Sequence, residues 1–374
     1  MFSDFRQDIF NNLKNIPGWH TKRKIVVIEC DDWGSIRMPS KKVFERLINK
    51  GLNVATGRYN IFDTLETGQD LEELFEVLKS VKDINNQSAV MTAMTLMANP
   101  DFNKIRASGF TEYHYEKFTE TLTRYYPNDN VFKLWREGIS ARIWMPELHG
   151  REHITVQLWM QKLRENDKDL IFAFNNGFVS LRTPGLPSPA QEFRPEYYFV
   201  SDIQKSFLIK SIIDSTEIFR EIFDCQPHVF VPSNGIFHPD FDKIVSDTGV
   251  KFLYVSSRMP YPAENGTLRF RTLFPGQKGP NELTYYNRNC VFEPNDKNYK
   301  GIELTLKQIE AAFRWRKPAN ISTHRVNFSG GIDPENRTKG LLELKKLLKT
   351  IVQKWPDVEF MSSRDALNHM RAII

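Results

Sequence analysis

The chain has little cysteine, no long apolar run and no strong charge of one sign, and each shortage excludes a class of protein. Its three cysteines, Cys30, Cys225 and Cys290, are far apart and odd in number. No disulfide framework follows, and a reducing compartment is the simplest expectation. No segment approaches the roughly 18 consecutive apolar residues of a membrane-spanning helix. The amino terminus, Met1-Phe2-Ser3-Asp4-Phe5-Arg6-Gln7-Asp8, is polar and acidic where a signal peptide is basic and then apolar, so a cytoplasmic location is expected. The net charge of +5 is mild for 374 residues, and the basic residues are dispersed. No nucleic-acid partner is implied. There is no internal repeat and no low-complexity segment.

Apolar and charged fractions are those of a globular protein, and the length suits a core that needs no staples. The 28 phenylalanines read first as core packing and second as sugar-stacking faces. Apolar, β-branched runs alternate with helical periodicity. Lys24 to Cys30 reads as a buried strand, and further strands are expected at Ala89–Leu96, Ala141–Met145, Val229–Val231, Phe252–Val255 and Asn320–Thr323. Helices are expected from Ser40 to Asn49, with Ser40 as cap, and over Leu71–Val81 with Asp70 as cap. Others are expected over Tyr115–Tyr126, Ile154–Arg164, Asp202–Phe223 and Lys339–Gln353. Such alternation predicts an α/β fold with a parallel sheet or barrel and helices outside. The whole chain, 1–374, is expected to form one domain with its core from about residue 24. Segments 178–195 and 259–298, rich in proline, glycine and polar residues, are expected to be cleft loops or lids.

Chemistry groups of a parallel α/β fold gather at the carboxyl ends of its strands. Three segments place suitable groups there: Asp31 and Asp32 after the first strand, His149 and His153 after the third, and His324 near the end. The two histidines are four residues apart, which on a helix would present both imidazoles from one face. Two imidazoles and a carboxylate make a three-donor site with open positions, as catalytic zinc needs. Of the adjacent aspartates, one can hold a divalent metal while the other accepts a proton. A histidine on the opposite wall can then protonate a leaving group.

Asp31-Asp32-Trp33-Gly34 after a strand, His149-Gly150-Arg151-Glu152-His153, and Ile321-Ser322-Thr323-His324 resemble three motifs of the polysaccharide deacetylases (carbohydrate esterase family four). The resemblance, to a bacterial branch of that family, spans about Lys24 to His324. It implies an irregular (β/α) barrel that removes acetyl groups from N- or O-acetylated sugars with one divalent metal ion, zinc being the expected one. Carried over by position, it implies Asp32, His149 and His153 as metal ligands, Asp31 as base and His324 as acid. The family's third motif supplies an arginine beside the base. The corresponding segment here, Val231-Pro232-Ser233-Asn234-Gly235-Ile236-Phe237, has none, and Asn234 cannot replace a guanidinium. Arg151 or Arg325 is expected to reach in instead. Trp33 and Glu147, flanking the motifs, are further candidates for contacting substrate or orienting ligands.

Three other readings compete. The His149–His153 segment also fits an inverted zinc-protease motif with Glu152 as base and Glu217 or Glu221 as the further ligand. A two-histidine, one-carboxylate iron oxygenase usually sits on a β-sandwich, which the helix-rich alternation disfavours. The missing third-motif arginine favours a non-catalytic carbohydrate-binding protein on the same scaffold.

Overall fold

The computed structural model describes residues 9–372, so the reading of Met1 to Asp8 falls outside the described residues. The fold is α/β, built on a parallel sheet of nine strands. In chain order these are β1 (Lys24–Trp33), β2 (Met91–Leu96), β3 (Trp144–Gly150), β4 (Val229–Phe230), β5 (Phe252–Tyr254), β6 (Thr284–Tyr286), β7 (Cys290–Val291), β8 (Ala319–His324) and β9 (Val358–Phe360). The spatial order is β6-β5-β4-β3-β2-β1-β8-β7. β9 pairs with Lys24–Val26 of β1, and β2 with Ile28–Trp33. Every residue of β1 after Lys24 is buried, which is why it reads as an unbroken apolar run rather than an alternating one.

The two edge strands, β6 and β7, are separated by only Asn287, Arg288 and Asn289. The first half of this extended run hydrogen-bonds to β5 and the second half to β8. One strip of chain therefore joins both edges and curls the sheet into an irregular barrel. The 259–298 segment is thus more than the lid expected of it. It also carries an antiparallel hairpin, Arg258–Pro262 with Leu268–Thr272.

Helices cover the outside. Ser40 caps Lys41–Asn49 by accepting from the Val43 N–H. Gly68–Lys79 begins before the expected Asp70 cap because Thr67 occupies that place, with Asp70 completing a capping box. Asp202–Phe223 forms as expected, and the last long helix runs Pro334–Lys354. The expected Tyr115–Tyr126 helix divides into a short strand, Tyr115–Lys117, and a helix, Phe118–Tyr125. No helix among the described residues is long and apolar enough to cross a membrane.

Candidate metal centre

Two irregularities at strand ends build the site. Residues 31 and 32 of a regular strand would point to opposite faces. Between Cys30 and Trp33, however, β1 shifts register against β2, and Asp32 has φ +77°. A bulge of this kind re-aims a side chain, and both carboxylates line the same cleft. β3 shifts likewise against β2: Thr95 and Leu96 pair with Leu148 and Gly150, leaving His149 as the extra residue. Gly150 has φ +121°, and a Cβ there would lie 2.1 Å from Glu196 Oε2. Only glycine fits. His149 therefore ends a strand, and His153 follows in the loop before the Val156–Arg164 helix. The pair is not helical; a bulge and a loop bring the rings together instead.

Asp32, His149 and His153 each offer a donor atom, all within 4.8 Å of one another. The His149 Nδ1–H donates to the Val231 carbonyl at 2.8 Å, and the His153 Nδ1–H to the Arg194 carbonyl at 2.6 Å. These bonds leave both Nε2 lone pairs facing Asp32, whose Oδ1 is 3.6 Å from each. That is too long for a hydrogen bond, yet close to the separation of about 3.4 Å for two ligands on a tetrahedral zinc. Burial, the dominant influence, lowers the His153 pKa to about 3, keeping the ring neutral as a ligand must be. Burial would raise the Asp32 pKa, but the surrounding histidines outweigh it and hold it well below the carboxylate range. The donor set fits a divalent metal ion.

The residue that sequence reasoning missed is Arg288, from the strip joining β6 to β7. Its Nη1 and Nη2 each donate to Asp31 at 2.7 Å, and its Nε donates to buried Glu29. Burial opposes ionisation of Asp31, but Arg288 prevails and holds its pKa below the usual value. The guanidinium beside Asp31 thus comes from the strip between β6 and β7 and not from Val231–Phe237.

His324 stands on β8 in register with Asp31, so it is a side-by-side neighbour rather than a group on the opposite wall. Its Nε2 is 3.8 Å from Asp31 Oδ2, and its Nδ1–H donates to Glu293 at 2.6 Å. Burial favours the neutral ring, but Glu293 and then the two aspartates outweigh it and raise the pKa to about 9. Asp31, Asp32, His149, His153 and His324 line a cleft of about 680 Å³, together with Tyr59, Asn234, Tyr254 and four arginines.

No protein-family model and no curated protein matches the sequence. Among solved structures, the chain is similar to a protein described as a polysaccharide deacetylase from Mycobacterium smegmatis, at 12% identity and TM-score 0.44, covering 95% of this chain and 93% of that one. It is similar to Puue allantoinase at 11% identity and TM-score 0.46, covering 95% and 92%. It also aligns with 4-alpha-glucanotransferase from Thermococcus litoralis at 11% identity and TM-score 0.45, spanning 92% of this chain but only 40% of that one. At such distances the chemistry must be read from the side chains themselves.

Several candidates lie elsewhere. Arg151 is buried and spends its donors on Glu152 and Asp214. Arg325 is buried on Asp63 and Glu66. Glu147 accepts from Arg364 and from the His228 and Val229 N–H groups, and Trp33 packs edge-on against Trp144 in the core. Glu147 stands two residues before His149 on β3 and is fully buried below the cleft floor, where those partners hold both its oxygens. None of the four lines the cleft, whereas Asn234 does. The protease reading loses its base, because both Glu152 oxygens are held by Arg151. Its further ligand is missing too: Glu221 pairs with Lys117, and Glu217 is exposed.

Asp32→Ala removes one of three donors. Losing a group that merely orients a ligand costs about 10- to 100-fold in metal affinity, so a fall of at least about 100-fold is expected here. Metal analysis after dialysis against a dilute zinc buffer measures it, and retained stoichiometric metal would rule out this donor set.

Proposed function

We propose that the chain is a metal-dependent hydrolase that removes acetyl groups from an N- or O-acetylated sugar or polysaccharide precursor. One observation carries the reading: the Asp32–His149–His153 donor set shares its cleft with Asp31 on Arg288 and His324 on Glu293. A divalent ion, with zinc expected, would supply Lewis acidity toward a carbonyl oxygen and a lowered pKa for water. Asp31 is ionised and clamped by two Arg288 donors, so its remaining lone pairs accept a proton from attacking water. His324, steadied through Nδ1 by Glu293, presents Nε2 to the leaving group and protonates the departing sugar nitrogen or oxygen. Water is thereby divided: hydroxyl goes to the acyl carbon, and the sugar leaves as amine or alcohol with acetate as co-product. Asn234, on the cleft wall, is the candidate for a substrate hydrogen bond.

The decisive experiment is acetate release from N- and O-acetylated sugars by the zinc-loaded protein and by the protein stripped with chelator. Release that returns with metal supports the reading; no release from any acetylated sugar by fully loaded protein leaves only the binding-protein alternative.

Protonated His324 is the form the acid role needs, and with Glu293 and the two aspartates raising its pKa, activity is expected to fall on an alkaline limb as the imidazolium loses its proton. The Glu293 carboxylate stabilises the imidazolium, so Glu293→Gln lowers that pKa. The alkaline limb is expected to move toward neutrality by roughly one unit. A limb that stays in place would assign it to another group.

A further inference from the structure

The metal cleft carries more positive charge than its own acids neutralise. Arg37, Arg182, Arg194 and Arg288 line it, against Asp31, Asp32 and Glu192. Arg288 is matched by Asp31, and Asp32 belongs to the metal donor set. Of the acids lining the cleft, only Glu192 is left for Arg37, Arg182 and Arg194; Asp63, which also attracts Arg37 and Arg194, is already paired with Arg325. Arg37 approaches Glu192 no closer than 3.8 Å and otherwise donates from Nε to Asn60. Arg182 is exposed and has no ion pair among the described residues.

Arg194 is the sharpest case. It is only 6% exposed. Its Nη1 reaches the His153 carbonyl at 3.3 Å, but Nε and Nη2 have no acceptor. A buried guanidinium with two unmade hydrogen bonds beside a second guanidinium is costly. A surface charge would spread into water; these sit in the wall of the reaction cleft, next to a metal ligand. The 178–195 segment that supplies Arg182, Glu192 and Arg194 also supplies the carbonyl that fixes His153.

We propose that Arg194 and Arg37 form a subsite for an oxyanion on the substrate, so that the sugar deacetylated here carries a carboxylate or a phosphate. This rests on the deacetylase reading for the reaction, though not for the binding. Planar guanidinium forks match both carboxylate and phosphate oxygens, and an oxyanion in the cleft would balance the excess positive charge of Arg37, Arg182 and Arg194. Arg182 stands at the exposed end of the same wall, placed to draw the charged group in.

The test uses zinc-loaded protein and three probes without an acetyl group: glucose, glucuronate and glucose 1-phosphate, titrated calorimetrically. At least one charged probe is expected to bind about tenfold or more tighter than glucose. The tighter of the two identifies carboxylate or phosphate. The metal could itself attract anions, so Arg37→Gln and Arg194→Gln are compared at equal metal content. Each is expected to abolish most of the charged probe's advantage, and Arg194→Lys to restore part of it. Should Arg194→Gln fail to fold, the half-buried Arg37→Gln decides alone. Equal affinity for glucose and both charged probes overturns the proposal, as does an advantage that survives in the variants. Because no probe can be deacetylated, loss of charge discrimination removes the subsite and leaves the reaction standing. Failure to release acetate removes the reaction and leaves the subsite.

Discussion

Asp31→Asn is expected to lower kcat for acetate release by about 10²–10⁴-fold, the range that a positioned proton acceptor contributes, while zinc content stays at wild-type level. The change is nearly isosteric; it removes the capacity to take a proton together with the negative charge that Arg288 grips. Asp32, the adjacent metal donor, is untouched, and the histidine donors are anchored elsewhere, on the Val231 and Arg194 carbonyls. Arg288 keeps a counter-ion in Glu29, so the local structure should survive the loss of one charge. Stopped assays at saturating substrate, alongside metal analysis, separate the two functions of the acidic pair. A rate within about threefold of wild type, with metal still bound, would show that the proton goes elsewhere. Loss of metal in Asp31→Asn would instead exchange the roles of Asp31 and Asp32.

The parts of this site that were legible in the sequence are those that announce themselves locally. The acidic pair closes an apolar, β-branched run that reads as a buried strand, and His324 closes another. Asp202–Phe223 was readable end to end because Ser201 caps a long periodic stretch. The histidine pair was found for a reason that does not hold. Four-residue spacing suggests a helix, but a bulge at His149 and a glycine with positive φ bring the rings together, and bulges leave no trace in hydrophobic period. Arg288 was invisible. It lies between two very short strands, in a polar stretch that reads as loop, and its partner Asp31 is 257 residues away. With 51 Lys and Arg in the chain, nothing local marks the one that tertiary structure places beside Asp31. Glu293, Arg37 and Arg194 escaped for the same reason. Arg151 and Arg325 drew attention by adjacency to motifs, yet Arg151 is consumed by Glu152 and Asp214 and Arg325 by Asp63 and Glu66, outside the cleft.

Arg288→Met is expected to be the most destabilising single change in the cleft. Arg288 is 6% exposed and joins Glu29 and Asp31, at 0% and 8%. Methionine fills much of the space but strips buried Glu29 and Asp31 of the guanidinium they share, leaving Asp31 only His324 at 3.8 Å. Removing one partner from a buried ion cluster costs about 3–5 kcal/mol, to be read as a lowered midpoint in urea unfolding. The sign with pH is fixed as well. The Asp31 pKa is depressed in the folded protein, so its contribution is present above the unfolded value of about 3.9 and is lost as pH falls through the lower folded value. Without Arg288 that pKa rises, so the acid limb of kcat/KM moves to higher pH. Arg288→Lys restores a charge but not the fork that grips both Asp31 oxygens, and should fall between the two. Glu29→Gln combined with Arg288→Met should recover part of the lost stability, because one of the stranded charges is gone; a double-mutant cycle measures that coupling. An unchanged urea midpoint with an unmoved acid limb would mean that Asp31 takes its charge balance from the metal centre alone, and that the strip joining the barrel's edges serves closure and nothing more.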